Sequence, residues 1–475
     1  MLITSGKIQE AERRVLEIED YLRKLSTDSD QVSFMGQIYS LRTYIASFYK
    51  DIPNLLHYAQ LALGNLSMPE DAGNRCGISL VLSNAYLNNG DLKAANQALT
   101  EALEAGKIAN RPYMILAAME NLAIVLYTQR DLKRADQVCQ EGLLSVQQNA
   151  LDYSPMAANL FITQGLILCE RHELDAAEQW VRKGLELARE RNYIWSIAWG
   201  YRALLRLLLA WNNLSAAEIA IREIDQLEMQ HEIPEYHTCG LSGFTAKIWI
   251  HMGKIERAQT YLQGRNILID SYIQYPHESE FWALASVCLA KGDMESGRKL
   301  LERLLLRAEA SDQHLWSLRF LVLQALLFQA LGDREQSLAY LDRAINLAAP
   351  KDYIQTFLDE GEPMLHLLEE ARRQNIHSGF IRLLLQAFKV ETPGGKFSQY
   401  QSIQPEKSLL IEPLNKRELE VVQLIAEGFT NKEIAQKLYI SVRTVKYYTT
   451  SIYQKLDVSG RAQAAVKAKE LGFLK

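Results

Sequence analysis

One six-residue element returns along most of this chain about every forty residues, and no other feature restricts its possible folds so strongly. It reads GDLKAA at 90, RDLKRA at 130, HELDAA at 172, NNLSAA at 212, GKIERA at 253, GDMESG at 292 and GDREQS at 332. The second residues, Asp91, Asp131, Glu173, Asn213, Lys254, Asp293 and Asp333, lie 40, 42, 40, 41, 39 and 40 apart. Four positions after each stands a small residue: Ala95, Ala135, Ala177, Ala217, Ala258, Gly297 or Ser337. Twelve before those come Ser83, Ala123, Gly165, Leu205, Ala246, Ala285 and Ala325, small in six of seven. Nine before the second small site the residue is always apolar: Tyr86, Leu126, Leu168, Leu208, Trp249, Cys288, Phe328. Small residues on both sides of a tight turn let two antiparallel helices approach closely. Each unit is therefore expected to be a helical hairpin.

This spacing resembles the tetratricopeptide pattern, lengthened by about six residues over its usual period of roughly 34, with HEAT-like hairpins as the alternative. Either way the fold class is all-α, an α-solenoid whose core lies between neighbouring units and whose concave wall can meet a ligand or partner. Extending the register backwards gives a degenerate unit at Asp51, where Leu55 replaces the small residue, and before it Lys7 with Ala11 at the small site. The chain thus opens inside a hairpin. That start suggests the C-terminal part of a longer protein, or a short form whose first unit is capped from outside.

Hydrophobic residues make up 48% of the 475 positions and charged ones 23%, the balance of a folded soluble chain. No secretory signal pattern and no uncharged apolar run of membrane-spanning length is present, so a cytoplasmic location without a membrane partner is expected. The two nearest approaches to a span, Ile197 to Trp211 and Leu315 to Leu331, are broken by Arg202 and Arg206 and by Arg319. Both read as buried helices. Cys76, Cys139, Cys169, Cys239 and Cys288 are too scattered for a disulfide framework and suggest reduced, mostly buried thiols. His237 with Cys239 is the nearest thing to a ligand pair, but a metal site needs two further ligands that the sequence does not nominate. No metal, cofactor or catalytic residue is expected.

The pattern changes at Asn415. Asn415-Lys-Arg-Glu418 and Thr430-Asn-Lys-Glu433 have the form of capping boxes, each opening a helix with apolar residues at period 3.6. Gly428 is placed to end the first, Ser441 to cap a third helix running to Leu456, and Ser459 to cap a fourth that Gly472 closes. Four short helices with tight turns make a compact bundle containing a helix-turn-helix. From Pro413 to Lys475 there are 11 Lys or Arg against 6 Asp or Glu, a net of +5, whereas the rest of the chain, 41 against 51, carries −10. Ile434 to Leu456 has no acid and carries Lys437, Arg443, Lys446 and Lys455. Such a footprint suits a phosphate-binding surface on a chain whose bulk repels DNA.

PLNKRELEVVQLIAEGFTNKEIAQKLYISVRTVKYYTTSIYQKLDV resembles the LuxR-type DNA-binding domain throughout, including its L-x-x-R-E-x-E, A-E-G-x-x-N-K-E-I-A and I-S-x-x-T-V-K parts. The resemblance implies that the third helix enters the major groove. Lys446, Tyr447 and Thr450 then become candidate base readers, and Thr430, Asn431, Lys432, Ser441, Arg443 and Thr444 candidate phosphate contacts. Where the family often has His and Asn, this chain has Tyr448 and Ser451, so the operator sequence does not carry over.

DYIQTFLDEGEPMLHLLEEARRQNI and the later FIRLLLQAF resemble the junction of MalT-like large LuxR regulators. Residues 1–388 are accordingly expected to be a repeat sensor, 389–412 a flexible linker and 413–475 the DNA-binding domain. The nucleotide-binding loop that such regulators usually carry has no counterpart here, because Gly394-Gly395-Lys396 is followed by Phe397 in linker surroundings. What the resemblance implies is a transcriptional regulator whose repeats sense a small molecule or protein and control operator binding by a self-associating chain. The rival is a repeat scaffold for protein partners with a tail that does not bind DNA. Trp195, Trp199, Tyr201 and Arg202 are weighed as a ligand surface, with core or solvated face the simpler reading.

Overall fold

A computed structural model describes residues 8–22, 29–231, 233, 235–374, 376–390, 416–438, 445, 448–449, 452, 458 and 460–470. The contacts divide the chain into two compact units, Met1–Gly395 and Lys396–Lys475. Both are helical, and no strand occurs among the described residues.

In the first unit the helices run α1 Ile8–Leu22, α2 Ser29–Phe48, α3 Ile52–Asn65, α4 Ala72–Asn88, α5 Leu92–Ile108, α6 Pro112–Thr128 and α7 Leu132–Gln148. They continue with α8 Pro155–Glu170, α9 Leu174–Glu190, α10 Ile194–Ala210, α11 Leu214–Gln230, α12 Glu235–His251 and α13 Ile255–Gly264. The last are α14 Glu278–Lys291, α15 Met294–Ala310, α16 His314–Ala330, α17 Arg334–Ala348, a 3₁₀ turn Ala349–Lys351, α18 Gln355–Leu358, α19 Gly361–Arg373 and α20 Ser378–Val390. Each repeated sequence element is the turn of a hairpin, from α4–α5 to α16–α17, and the degenerate Asp51 unit is the hairpin α2–α3.

The anchor residue proves to be the N-cap of each second helix. Side chains of Asp51, Asp91, Asp131, Asn213, Asp293 and Asp333 accept the free N–H three residues on, while Glu173 and Lys254 hold the position without that bond. The residue before the anchor turns the chain through positive φ, as at Gly90 (76°), Gly292 (76°) and Gly332 (77°), which explains the recurrent Gly-Asp pair. The small sites set helix approach. A Cβ on Gly165 would lie 2.5 Å from Val181 Cγ2 and 2.9 Å from the Ala177 carbonyl oxygen. In the last hairpin Ser337 Oγ donates to the Ala325 carbonyl at 2.8 Å.

First and second helices differ in burial. On α9 burial forms one stripe, Ala177, Val181, Gly184, Leu185 and Ala188, whereas α10 and α16 are buried almost all round. A helix buried on every side is covered by something besides its hairpin partner. Part of that cover is neighbouring first helices, and part is the far end of the same array. The array curls until α16 meets α6, Arg319 of α16 reaches Glu170 of α8, and α18 packs against α8 and α16. The junction segment thus lies inside the array. α20 continues through Val390, two residues into the stretch expected to be linker, because the apolar period of FIRLLLQAF still holds there.

In the second unit α21 is Lys416–Ala426, α22 is Asn431–Leu438 and α23 is Arg461–Glu470, with Val445, Tyr448, Thr449 and Ile452 also helical. Val421, Val422, Ile425, Ile434, Ala435, Val445, Ile452 and Ala464 form its core, and Phe429, Leu438 and Tyr448 pack against it.

Candidate nucleic-acid interface

The turn between α21 and α22 is fixed as its sequence requires. Gly428 takes φ of 89° and ends α21. Thr430 N–H donates to Glu433 Oε2 at 2.7 Å while Glu433 N–H reaches Thr430 Oγ1 at 3.4 Å, a closed capping box. The Thr430 hydroxyl, which donates to Glu433 Oε2 at 2.7 Å, and the Thr430 N–H together hold the Glu433 carboxyl below its usual range. Arg461, at the start of α23, donates to the Phe429 carbonyl and to Asn431 Oδ1, tying the last helix to this turn.

Of the expected phosphate contacts, Thr430 and Lys432 are exposed at the N-terminal end of α22, and Asn431 beside them is half-buried. Lys437, one helical turn on, is exposed and covers the Phe429 ring at 4.1 Å. Ser441, Arg443, Thr444 and the expected base readers Lys446, Tyr447 and Thr450 lie outside the described residues. What is described of the third helix is its inner side. Val445 and Ile452 are fully buried, and Thr449 Oγ1 returns to the Val445 carbonyl at 2.8 Å. Tyr448 packs on the core, which gives the departure from His a structural use.

The interior of the repeat array holds polar groups that the sequence pattern did not assign. Arg206 Nε and Nη2 clasp both oxygens of Glu170 at 3.0 and 3.1 Å, and Arg319 Nη2 donates to the same carboxylate at 3.1 Å. Thr356 Oγ1 and Tyr127 Oη also donate to it. Arg206 then reaches Asp359 Oδ2 at 2.9 Å, and Lys247 pairs with Glu360 at 2.9 Å. Burial alone would raise Glu170, but Arg206 and Arg319 outweigh it and bring the carboxyl down to about 2. Asp359, whose one cationic partner is also shared with Glu170, is raised by burial. Ile354 N–H donates to the Glu170 carbonyl oxygen at 2.9 Å, so backbone as well as charge fastens the junction segment.

A sequence signal for these contacts existed. Seven positions before each anchor stand Asn84, Ile124, Leu166, Arg206, Lys247, Ser286 and Leu326, with cations only in two consecutive units. Consecutive acids, Asp359 and Glu360, meet that pair. Arg206 and Arg319, expected inside buried helices, are buried there.

Trp199 and Tyr201 are buried and Trp195 is 62% exposed. Trp195 and Trp199 line one end of a cleft of about 1120 Å³ crossing α4, α6, α8 and α10. All five cysteines are free and buried. Cys239 lies 3.3 Å from His277 Nδ1, with Glu235 near by, while the side chain of His237 lies outside the described residues. His277 is held between Glu280 and Glu235, and Arg265 pairs with Glu280, so this group already balances its own charge.

Paired helices in a curled array, followed by a capped basic bundle, define a class: helical-repeat proteins carrying a helix-turn-helix unit. A family model for the MalT-like TPR region matches residues 36–374, and one for bacterial regulatory proteins of the luxR family matches residues 412–468. The chain belongs to the MalT-like family and ends in a luxR-type region. It is 23% identical over 473 residues to the HTH-type transcriptional regulator MalT of Vibrio campbellii, covering 96% of this chain and 51% of that one. The chain therefore spans about half the length of the curated relatives it matches. Its tail is 59% identical over 63 residues to the transcriptional regulatory protein LiaR of Bacillus subtilis, covering 13% of this chain and 30% of that protein. A crystal structure of a Rap protein complexed with competence and sporulation factor shares the fold at TM-score 0.56 and 14% identity, over 74% of this chain and 95% of that one. Among the described residues no helix is long and apolar enough to cross a membrane.

Proposed function

We propose that the chain is a cytoplasmic, self-associating transcriptional regulator. Its repeats receive a small-molecule or protein signal, and its tail binds operator DNA through the major groove. The observation that carries this reading is the luxR-type match over 412–468, joined to a capped turn that presents Thr430 and Lys432 at a helix N-terminus. In this reading the repeats are the receiver, the stretch after Val390 up to 412 is the connector, and 413–475 is the DNA-binding part. Lys446, Tyr447 and Thr450 read bases. Thr430, Asn431, Lys432, Ser441, Arg443 and Thr444 hold phosphates, which sets register without reading sequence.

The junction segment gives the repeats a means of control. Residues 353–360 are fastened to α6, α8, α10 and α12 by Tyr353, Ile354, Asp359 and Glu360, and the same backbone continues through α19 and α20 towards the tail. A ligand that moves the first helices relative to one another acts on that segment directly. No chemical step is assigned to the chain.

Fluorescence anisotropy of the full chain on random duplexes and on duplexes from its own upstream region, at several salt concentrations, tests the reading. Binding should weaken linearly on a log–log salt plot, and Lys446→Ala should weaken it further. A folded chain that bound no duplex at low salt would leave only the repeat scaffold.

A further inference from the structure

We propose that Cys239, His277, Glu280 and Glu235 bind one Zn²⁺ ion between α12 and the start of α14. The site is independent of the reading of the chain as a regulator, and neither depends on the other.

Backbone packing brings the donors together. Gly243 lets α14 come close to α12, since a Cβ there would lie 2.5 Å from the carbonyl carbon and from the Cβ of Ser279. Ser279 Oγ then donates to the Cys239 carbonyl at 2.7 Å, which holds α12 against the first turn of α14. His277 is the N-cap residue of α14 and Glu280 stands three positions on, so imidazole and carboxylate share one turn. Glu235 and Cys239, four apart on α12, share one face of that helix.

Two groups converge on one nitrogen. His277 Nδ1 lies 2.6 Å from Glu280 Oε2 and 3.3 Å from Cys239 Sγ. A ring nitrogen has a single bonding direction, so hydrogen bonding serves one of these partners and leaves the other beside it. A metal ion serves both. Thiolate sulfur and imidazole nitrogen on one tetrahedral zinc stand about 3.5 Å apart, close to the separation found, while Oε2 needs to retreat from the ring by about 0.7 Å. The other oxygen of that carboxylate is already held, because Ser242 Oγ and Arg265 Nε both donate to Glu280 Oε1, Arg265 at 2.6 Å. Outer partners of this kind orient a metal-binding carboxylate. Glu235 stands exposed on the open side, with an oxygen within 4.8 Å of the Cys239 sulfur.

Charge and donor type select the ion. With His277 protonated, Arg265 and His277 offset Glu280 and Glu235. A divalent ion that releases the Nδ1 proton and the thiol proton to solvent leaves this balance unchanged. A thiolate and an imidazole suit zinc, whereas Mg²⁺ and Ca²⁺ take oxygen ligands. The ion sits at the root of the loop 265–277. Tyr275 of that loop lies against the α4–α5 turn, far away in sequence, where a Cβ on Gly90 would come 3.0 Å from Tyr275 Cγ. Zinc thus fixes how the loop enters α14.

The test uses the full chain, stripped of metal by a chelator and kept reduced, then titrated with Co²⁺ as a coloured substitute for zinc. One equivalent should give the visible bands of a tetrahedral ion and a near-ultraviolet thiolate-to-cobalt charge-transfer band, and Zn²⁺ should bleach both. Cys239→Ser should lose the charge-transfer band. Glu235→Ala, at an exposed position, should weaken Co²⁺ binding at least tenfold with unchanged circular dichroism. Cys288→Ser, at a buried thiol elsewhere, should leave the spectrum intact. Zn²⁺ should raise the melting temperature of the unsubstituted chain and not that of Cys239→Ser. Three results would overturn the proposal: no tetrahedral cobalt spectrum, a charge-transfer band that survives Cys239→Ser, or an affinity indifferent to Glu235→Ala.

Discussion

Arg206 and Lys432 carry the same charge to opposite places. In the repeat array Arg206, Arg319 and Lys247 are buried, and Glu170, Asp359 and Glu360 neutralise them. In the tail Lys432 and Lys437 stand exposed, with neither found in an ion pair among the described residues. Buried pairs fix one internal arrangement, because removing a partner strands a charge in a poor solvent. Exposed cations remain available to an external polyanion, and their attraction falls with salt. The array spends its cations on its own chain and the tail keeps them for a partner.

The largest test of that contrast is Arg206→Ala. It strands Asp359 and leaves Glu170 with Arg319 alone, and should destabilise the array by about 3–5 kcal/mol, read by urea unfolding through tryptophan fluorescence. A loss below about 1 kcal/mol, the usual scale for exposed pairs, would erase the distinction. Acid should act next. The Glu170 carboxyl is depressed from 4.5 to about 2, so the stability it contributes is complete above about pH 4.5 and is lost as pH falls towards 2. Asp359 opposes this, since its raised value lets protonation favour the folded form. In Glu170→Gln the acid-dependent loss in the array should shrink, as followed by circular dichroism against pH.

On the tail, Lys446→Ala should weaken operator binding by about 1–3 kcal/mol if it reads a base, in anisotropy titrations. Array stability should not change. Asp91→Ala should cost about 0.5–2 kcal/mol in thermal melts through its lost cap, and Glu173→Ala, which has no cap bond to lose, much less. The smallest effect is expected from Lys432→Ala: a phosphate contact removed should lower the salt slope by about one and leave sequence preference intact.

The hairpins, their turns and the tail's capping box were legible because each depends on residues within about one helical turn or one repeat. Asp91 caps α5 whatever lies elsewhere, and Gly428 can end α21 without help. Even the burial of Arg206 and Arg319 could be read from the apolar runs around them. Their partners could not. Glu170 lies 36 residues from Arg206 and 149 from Arg319, and Asp359 lies 153 from Arg206. The gathering of residues from α4, α6, α8 and α10 along one cleft was equally hidden.

By itself, then, the sequence determined the local units: a capped helix after each anchor, a small-residue contact in each hairpin, and a basic bundle of luxR type at the end. Tertiary structure alone decided which polar residues meet inside the array, and that residues 353–360 would lie there. The reason is physical. Caps and periods act over a few residues, whereas the curl that brings α16 to α6 accumulates from small rotations between successive hairpins, and no single repeat encodes it.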